Sequence, residues 1–297
     1  MWQLPLLETA ETRLHRTPAA HRPIVFPRGH VVAHTILTPN QVDDRAAPIH
    51  GSQWDHGNSR SKGAGTLVLG VEMANELRVT LEMGPKGKKV VAVAPDWPGL
   101  ERGAKTREAA IERLQCYLPR YAKVAKLAGM DAEFAAITTV DVVEQYSGTG
   151  STAFWGISFA FSGIDRHDMS SEDLERELTL MEACWAFFDA LRVRVSAEMQ
   201  KGPRGGGRDR DHIVRHTFGT EQDWAAKVGV LTPQGAMLTD EGLKAHRDAY
   251  RKAIRAFHSE GKMARTWPLR YLIRHTAYHT LDHAWEMEDT DLTVGVR

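Results

Sequence analysis

The run "SSEDLERELTLMEACWAFFDALRVRVSAEMQ", residues 170 to 200, constrains the fold more than any other stretch. Leu174, Leu178, Met181, Trp185, Phe188, Leu191 and Val195 recur at steps of three and four, so they form one apolar stripe along a long helix. Ser170 and Asp173 stand at capping-box spacing at its start, and "GPRGGG" is expected to stop it. Such a stripe needs other helices to cover it. Three further helical segments follow: "RDRDHIVRHTFGTEQDWAAKV", "TDEGLKAHRDAYRKAIRAFHSEG" and "TWPLRYLIRHTAYHTLDHAWEMED", with Thr266 and Pro268 opening the last. Residues 168–297 are therefore expected to form an all-α four-helix bundle.

The part before it has a different period. "ELRVTLEM" and "KKVVAVAPDWPG" read as strands joined by the turn "GPKG". Thr106 is placed to cap a helix over "REAAIERLQCYLPRYAKVAKLAG", in which Ala110, Ile111, Leu114 and Tyr117 share a face. "TTVDVVEQY" and "AFWGISFAFSG" read as further strands about the turn "SGTGS". The fold class is α+β, with a small domain at 73–165 and a boundary near residue 165. The bundle is expected to fold alone, provided its contact with the first domain is small. Residues 1–72 hold six of the 14 His and six of the 13 Pro without helical or strand period, and are expected to carry little order. Met73 reads as an alternative start.

Charge and cysteine content narrow the function. The 38 basic and 38 acidic side chains give a formal charge of zero, which argues against a dedicated binder of nucleic acid or anionic membrane. Only Cys116 and Cys184 are present, with no apolar run near the ~18 residues that span a bilayer. A cytoplasmic protein with a small-molecule partner is the expectation. Cys184, inside the apolar stripe, is expected as a buried small hydrophobe, and Trp185, Trp224, Tyr271 and Trp285 as core.

All eight His after residue 72 fall in 166–297, and "RHTAYHTLDHAWEMED" sets His275, His279 and His283 at four-residue steps. On a helix these share a stripe, and His275 with His279 forms an i,i+4 pair suited to one metal ion. His212 and His216 on the second helical segment each offer a third imidazole. Three protein ligands with one open position is the arrangement of a reactive metal site. Asp282 and Glu286 continue the stripe and are read mainly as solvated or ion-paired acids, with orientation of an imidazole as the other role.

Two families resemble these stretches. "VAPDWPGLERGAKTREAAIERL" is similar to the HicB-like fold, through Pro95, Asp96, Pro98, Gly99, Gly103, Thr106, Glu108 and Ala110. Residues 170–290 resemble the DinB-like (YfiT-like) metal-binding four-helix bundles, whose second helix carries a His with an acid five residues on, here His216 and Glu221, and whose last helix carries His-x-x-x-His, here His275 and His279. The resemblance implies a divalent-metal site of His216, His275 and His279. Three imidazoles suit Zn, Ni or Fe rather than Mg or Ca. It further implies an enzyme acting on a small molecule, either transferring a low-molecular-weight thiol or hydrolysing its substrate. The competing expectation is a non-enzymatic metal-binding or dimerising protein, whose HicB-like part contacts a protein partner.

Overall fold

The computed structural model describes residues 75–202 and 205–295, so the expectations for residues 1–72 and for a start at Met73 lie outside the described residues. It is a mixed α+β structure, with a small sheet first and helices after. β1 (Asn75–Met83), β2 (Val90–Val93), β3 (Glu101–Ala104) and β4 (Ile137–Ser147) form one sheet in the order β3-β2-β1-β4. β1 and β2 pair antiparallel, as do β2 and β3, whereas β4 runs parallel to β1 and so needs a crossover. That crossover is α1 (Arg107–Leu127) followed by α2 (Asp131–Ala135). Thr106 caps α1 as expected, its hydroxyl accepting from the Ala109 amide at 3.2 Å. β3 was not foreseen: four residues, "ERGA", are too short and too polar to give a strand period.

"AFWGISFAFSG" is not a strand. Its first part belongs to α3 (Gly150–Trp155), held by a capping box between Thr149 and Thr152, and after Gly156 it runs as loop to α4 (Gly163–Arg166). The reason lies in where its backbone donors go. Glu82, buried on β1, accepts from the amides of Phe159 at 3.0 Å and Ala160 at 3.1 Å and from the Ser158 hydroxyl at 2.7 Å, which takes them from any ladder.

Four long helices follow: α5 (Ser171–Arg192), α6 (Arg210–Ala225), α7 (Asp240–Ser259) and α8 (Leu269–Thr290). All seven apolar stripe residues from Leu174 to Val195 are buried, and Cys184 is fully buried among them. The first helix ends at Arg192, earlier than the expected stop at "GPRGGG". There the chain turns to meet the end of α8, the Ser196 amide and hydroxyl donating to Asp291 at 3.0 Å and the Gln200 amide to the Thr290 carbonyl at 2.7 Å. Among the described residues no helix is long and apolar enough to cross a membrane.

One core joins the sheet to the helices. The turn "PDWPG" is wedged between them: the Pro98 carbonyl accepts from Tyr121 of α1 at 2.8 Å and faces Cys184 of α5, while Trp97 packs edge-on to Tyr121 and Phe134. Gly99 has φ +96, and a Cβ there would stand 2.8 Å from a Leu281 methyl and 3.3 Å from the Ala277 backbone, so only glycine lets the turn lie against α8. The parts on either side of residue 165 thus share one hydrophobic core.

The deepest polar link is Arg274 of α8. Its guanidinium donates twice to Asp165, at 2.7 and 2.8 Å, and to Glu101 of β3 and the Ser158 hydroxyl at 3.1 and 3.2 Å, with all four residues buried. Burial raises the Glu101 carboxyl to about 8 despite Arg274, whereas Arg274 and the Ser162 cap overcome burial to hold Asp165 below its usual range. Arg274→Ala leaves two buried acids without their cation, and unfolding in denaturant should show a loss of about 3–5 kcal/mol.

Glu177 of α5 gives a second test. Burial lifts its carboxyl to about 8, and one of its oxygens has no partner among the described residues. The folded protein thus holds a proton that the unfolded chain releases near 4.5. That contribution is complete below about 4.5 and disappears as pH rises through about 8, so stability should fall over this window. Glu177→Gln should flatten the fall in melting temperature between those limits; an equal slope in both proteins would contradict the assignment.

Candidate metal centre

α6 and α8 lie side by side, and their contact brings three imidazoles together. His216 of α6 and His283 of α8 approach His279 from two sides, with Nε2 to Nε2 distances of 3.3 and 3.1 Å. The ligand atoms of all three lie within 4.8 Å of one another. His216 is exposed, His279 half-buried and His283 buried, so the cluster opens outward on the α6 side.

Of the expected trio, His216 and His279 meet here and His275 does not. Helix geometry explains the difference. A step of four residues advances about 400°, so the stripe turns by about 40° at each step and His275 stands about 80° round from His283. Its ring stacks on Tyr271, with centroids 4.9 Å apart, and packs against Trp224 at 4.7 Å and Phe159 at 5.6 Å. Burial and the adjacent Arg274 push the His275 imidazole down to about 3, and its Nδ1 has no partner among the described residues. His212 is exposed on α6 and outside the cluster.

Glu286 completes the arrangement. Its carboxylate lies 2.7 Å from His283 Nδ1 and is gripped by Arg208 through Nε at 3.2 Å. A carboxylate only accepts, and at 2.7 Å it is nearer than the Arg208 nitrogen at 3.2 Å, so it fixes the tautomer with the proton on His283 Nδ1 and leaves Nε2 on the His279 side. Burial raises the Glu286 carboxyl, but the bonds from His283 and Arg208 outweigh it and hold the acid ionised. Asp282, by contrast, pairs with Arg102 at 3.4 Å. Glu221, five residues after His216, is buried in an ion pair with Arg247 at 2.9 Å and plays no part here.

The donor set fits a transition metal. Burial and the neighbouring imidazoles His283 and His216 push His279 down to about 2, and burial with His283 also lowers His216, so these two are neutral at ordinary pH. Two Nε2 contacts converge on the single His279 nitrogen, and at most one of them has a proton to share with it in neutral rings. The remaining lone pair lacks a positive partner. The 3.1 and 3.3 Å separations are close to the roughly 3.3 Å edge of a tetrahedron with metal–nitrogen bonds of about 2.05 Å.

No family model, curated protein or solved structure matches this chain. The geometry alone carries the reading of the site.

The signal for His283 was present in the sequence, because His279-x-x-x-His283 repeats the same i,i+4 spacing as His275 and His279. Spacing could not choose between the two registers. Tyr271, which stacks on His275, is on the same helix, but Phe159 and Trp224, which close the ring in, come from the 159 loop and α6, far away in the chain.

Glu286→Gln keeps the size of the side chain but weakens the bond to His283 Nδ1. Zinc affinity, measured by competition with a chromogenic chelator, should fall about 10- to 100-fold with an unchanged circular dichroism spectrum. An affinity equal to the parent would remove Glu286 from the site.

Proposed function

We propose that the chain is a divalent-metal-dependent enzyme acting on a small molecule, with His216, His279 and His283 as the metal ligands and Glu286 as the acid that orients His283. The observation that carries this is the convergence of three Nε2 atoms, two contacts of 3.1 and 3.3 Å on His279, in a cluster that opens outward. An all-imidazole set favours Zn, Ni or Fe. With three protein ligands one position is left for water or substrate. A metal there would supply a nucleophile at neutral pH, by lowering the pKa of a bound water or of a thiol.

The chain's own residues set the conditions for that chemistry. Burial keeps His279 unprotonated, and Glu286 fixes the tautomer of His283. Arg208 holds Glu286 in place from the side of His283 Nδ1. The reading agrees with a DinB-like bundle, in which a His of the second helix meets a His-x-x-x-His pair of the last, provided the pair is taken at 279 and 283. The sheet and its "PDWPG" turn would then be a HicB-like part serving as scaffold. Thiol transfer to a small electrophile and hydrolysis of a small substrate are the two reaction types that such a centre supports.

Metal per chain, measured by mass spectrometry on protein purified without an affinity tag, is the test. His279→Ala and His283→Ala should lose most of the metal and His216→Ala should weaken it, because only two imidazoles remain in each. His275→Ala should keep the metal and lose stability, since it empties a packed aromatic site. Unchanged stoichiometry in the first three variants would end the proposal. Assays with thiols plus electrophiles and with ester substrates on the metal-loaded protein separate the two reaction types.

A further inference from the structure

A cavity of about 630 Å³ lies at the start of α8, walled by Pro268, Leu269 and Arg270, by the turn from Asp165 to Met169 between α4 and α5, and by the end of α7 with the loop to Met263. That volume suits a small molecule. His258 ties two of the walls together, its Nε2–H donating to the Met169 carbonyl at 2.6 Å. Arg270 and His279 are nine positions apart on α8, about 14 Å of helix, so the cavity is separate from the imidazole cluster.

The wall carries cations that the fold leaves poorly matched. Arg270 stands in the first turn of α8, where the helix end is already positive, with no side-chain cap and no acid in that turn. Its side chain is only 12% exposed, yet its ion-pair distances are long, 3.3 Å to Glu177 and 3.8 Å to Asp173, and its Nε has no partner among the described residues. Glu177 is also the acid that burial keeps protonated up to about 8, which weakens its hold on Arg270. Arg166 lies over the Phe161 ring at 5.2 Å and makes no ion pair among the described residues, and Lys262 reaches the exposed Glu260. Of the two acids in the wall, Asp165 is spent on Arg274 and on the Ser162 cap, which leaves Asp168. Three cations therefore share the cavity with one uncommitted acid, and Met169, Met263 and Leu269 add an apolar surface beside them. A partly buried cation without an ionised partner costs the fold free energy, which an anion in the cavity would offset.

We propose that this cavity binds a small organic anion, its carboxylate or phosphate group held by Arg270, Arg166 and Lys262 and its apolar body resting on Met169 and Met263. The site stands apart from the metal centre and does not rest on that reading.

The test is calorimetric titration of the full chain, treated with chelator so that no metal competes for the probes, with phenylacetate, phenyl phosphate and the uncharged phenylacetamide. At least one anion should bind about tenfold or more tighter than the amide, as charge-assisted bonds exceed neutral ones, and the stronger of the two identifies the head group. Arg270→Gln should bring that ratio within about threefold. Should that variant fail to fold, the double variant Arg166→Gln with Lys262→Gln, at two exposed positions, decides in its place and should reduce the ratio likewise. Met263→Asp, at a position 51% exposed, sets a like charge in the wall and should weaken the anions while leaving the amide unchanged. His279→Ala should bind all three probes as the parent does. Equal affinity for anions and amide, an unchanged ratio in the double variant, or no binding of any probe would overturn the proposal. Loss of anion binding in His279→Ala would do so too, by placing the anion at the imidazole cluster.

Discussion

The buried guanidinium of Arg274 is the constraint on which the rest depends. A cation that is 2% exposed must be matched in place, and its partners come from three separate stretches: Glu101 on β3, the Ser158 loop, and Asp165 in α4. Satisfying them fixes the rotation of α8 about its own axis. With Arg274 turned to the sheet, the next residue, His275, faces the aromatic wall, and His279 and His283 come round to meet α6. The choice of which imidazoles cluster therefore follows from an ion pair outside the cluster. The same loop explains the lost strand, since Glu101 and Glu82 take the amides of residues 158 to 160 while Tyr271 and Arg274 take the Ser158 and Ala160 carbonyls.

Much of the fold was legible in the sequence. Long helices declare themselves by period, and all seven apolar residues of α5 point inward as their spacing requires. Thr106 and Ser170 marked helix starts because capping is a local interaction, readable within four residues. β3, paired with nearby β2, is simply too short and polar to show a strand period, whereas the other two errors share a source: the end of α5 and the "AFWGISFAFSG" segment are each decided by contacts more than 50 residues away in the chain. Aromatic and β-branched residues there suggested a strand, but the backbone donors were already committed to a buried acid.

The site was legible in part for the same reason. Spacing led to His279, and the resemblance to metal-binding bundles led to His216 rather than His212, but an i,i+4 spacing fits two registers, and the Arg274 ion pairs together with the packing of Trp224 and Tyr271 around His275 select one. Glu286 shows the limit of reading charges singly. Its role depends on being three residues from His283, within reach of its Nδ1, and on the Arg208 that holds it.

The core that runs from sheet to helices has a consequence for synthesis on the ribosome. Glu101 waits for Arg274, 173 residues later, and the "PDWPG" turn waits for the Ala277 and Leu281 surface of α8. α1 and α5 cover part of the sheet before α8 is made, but the Arg274 pairs and the surface against the turn come only with α8, so completing the core depends on contacts of high sequence separation.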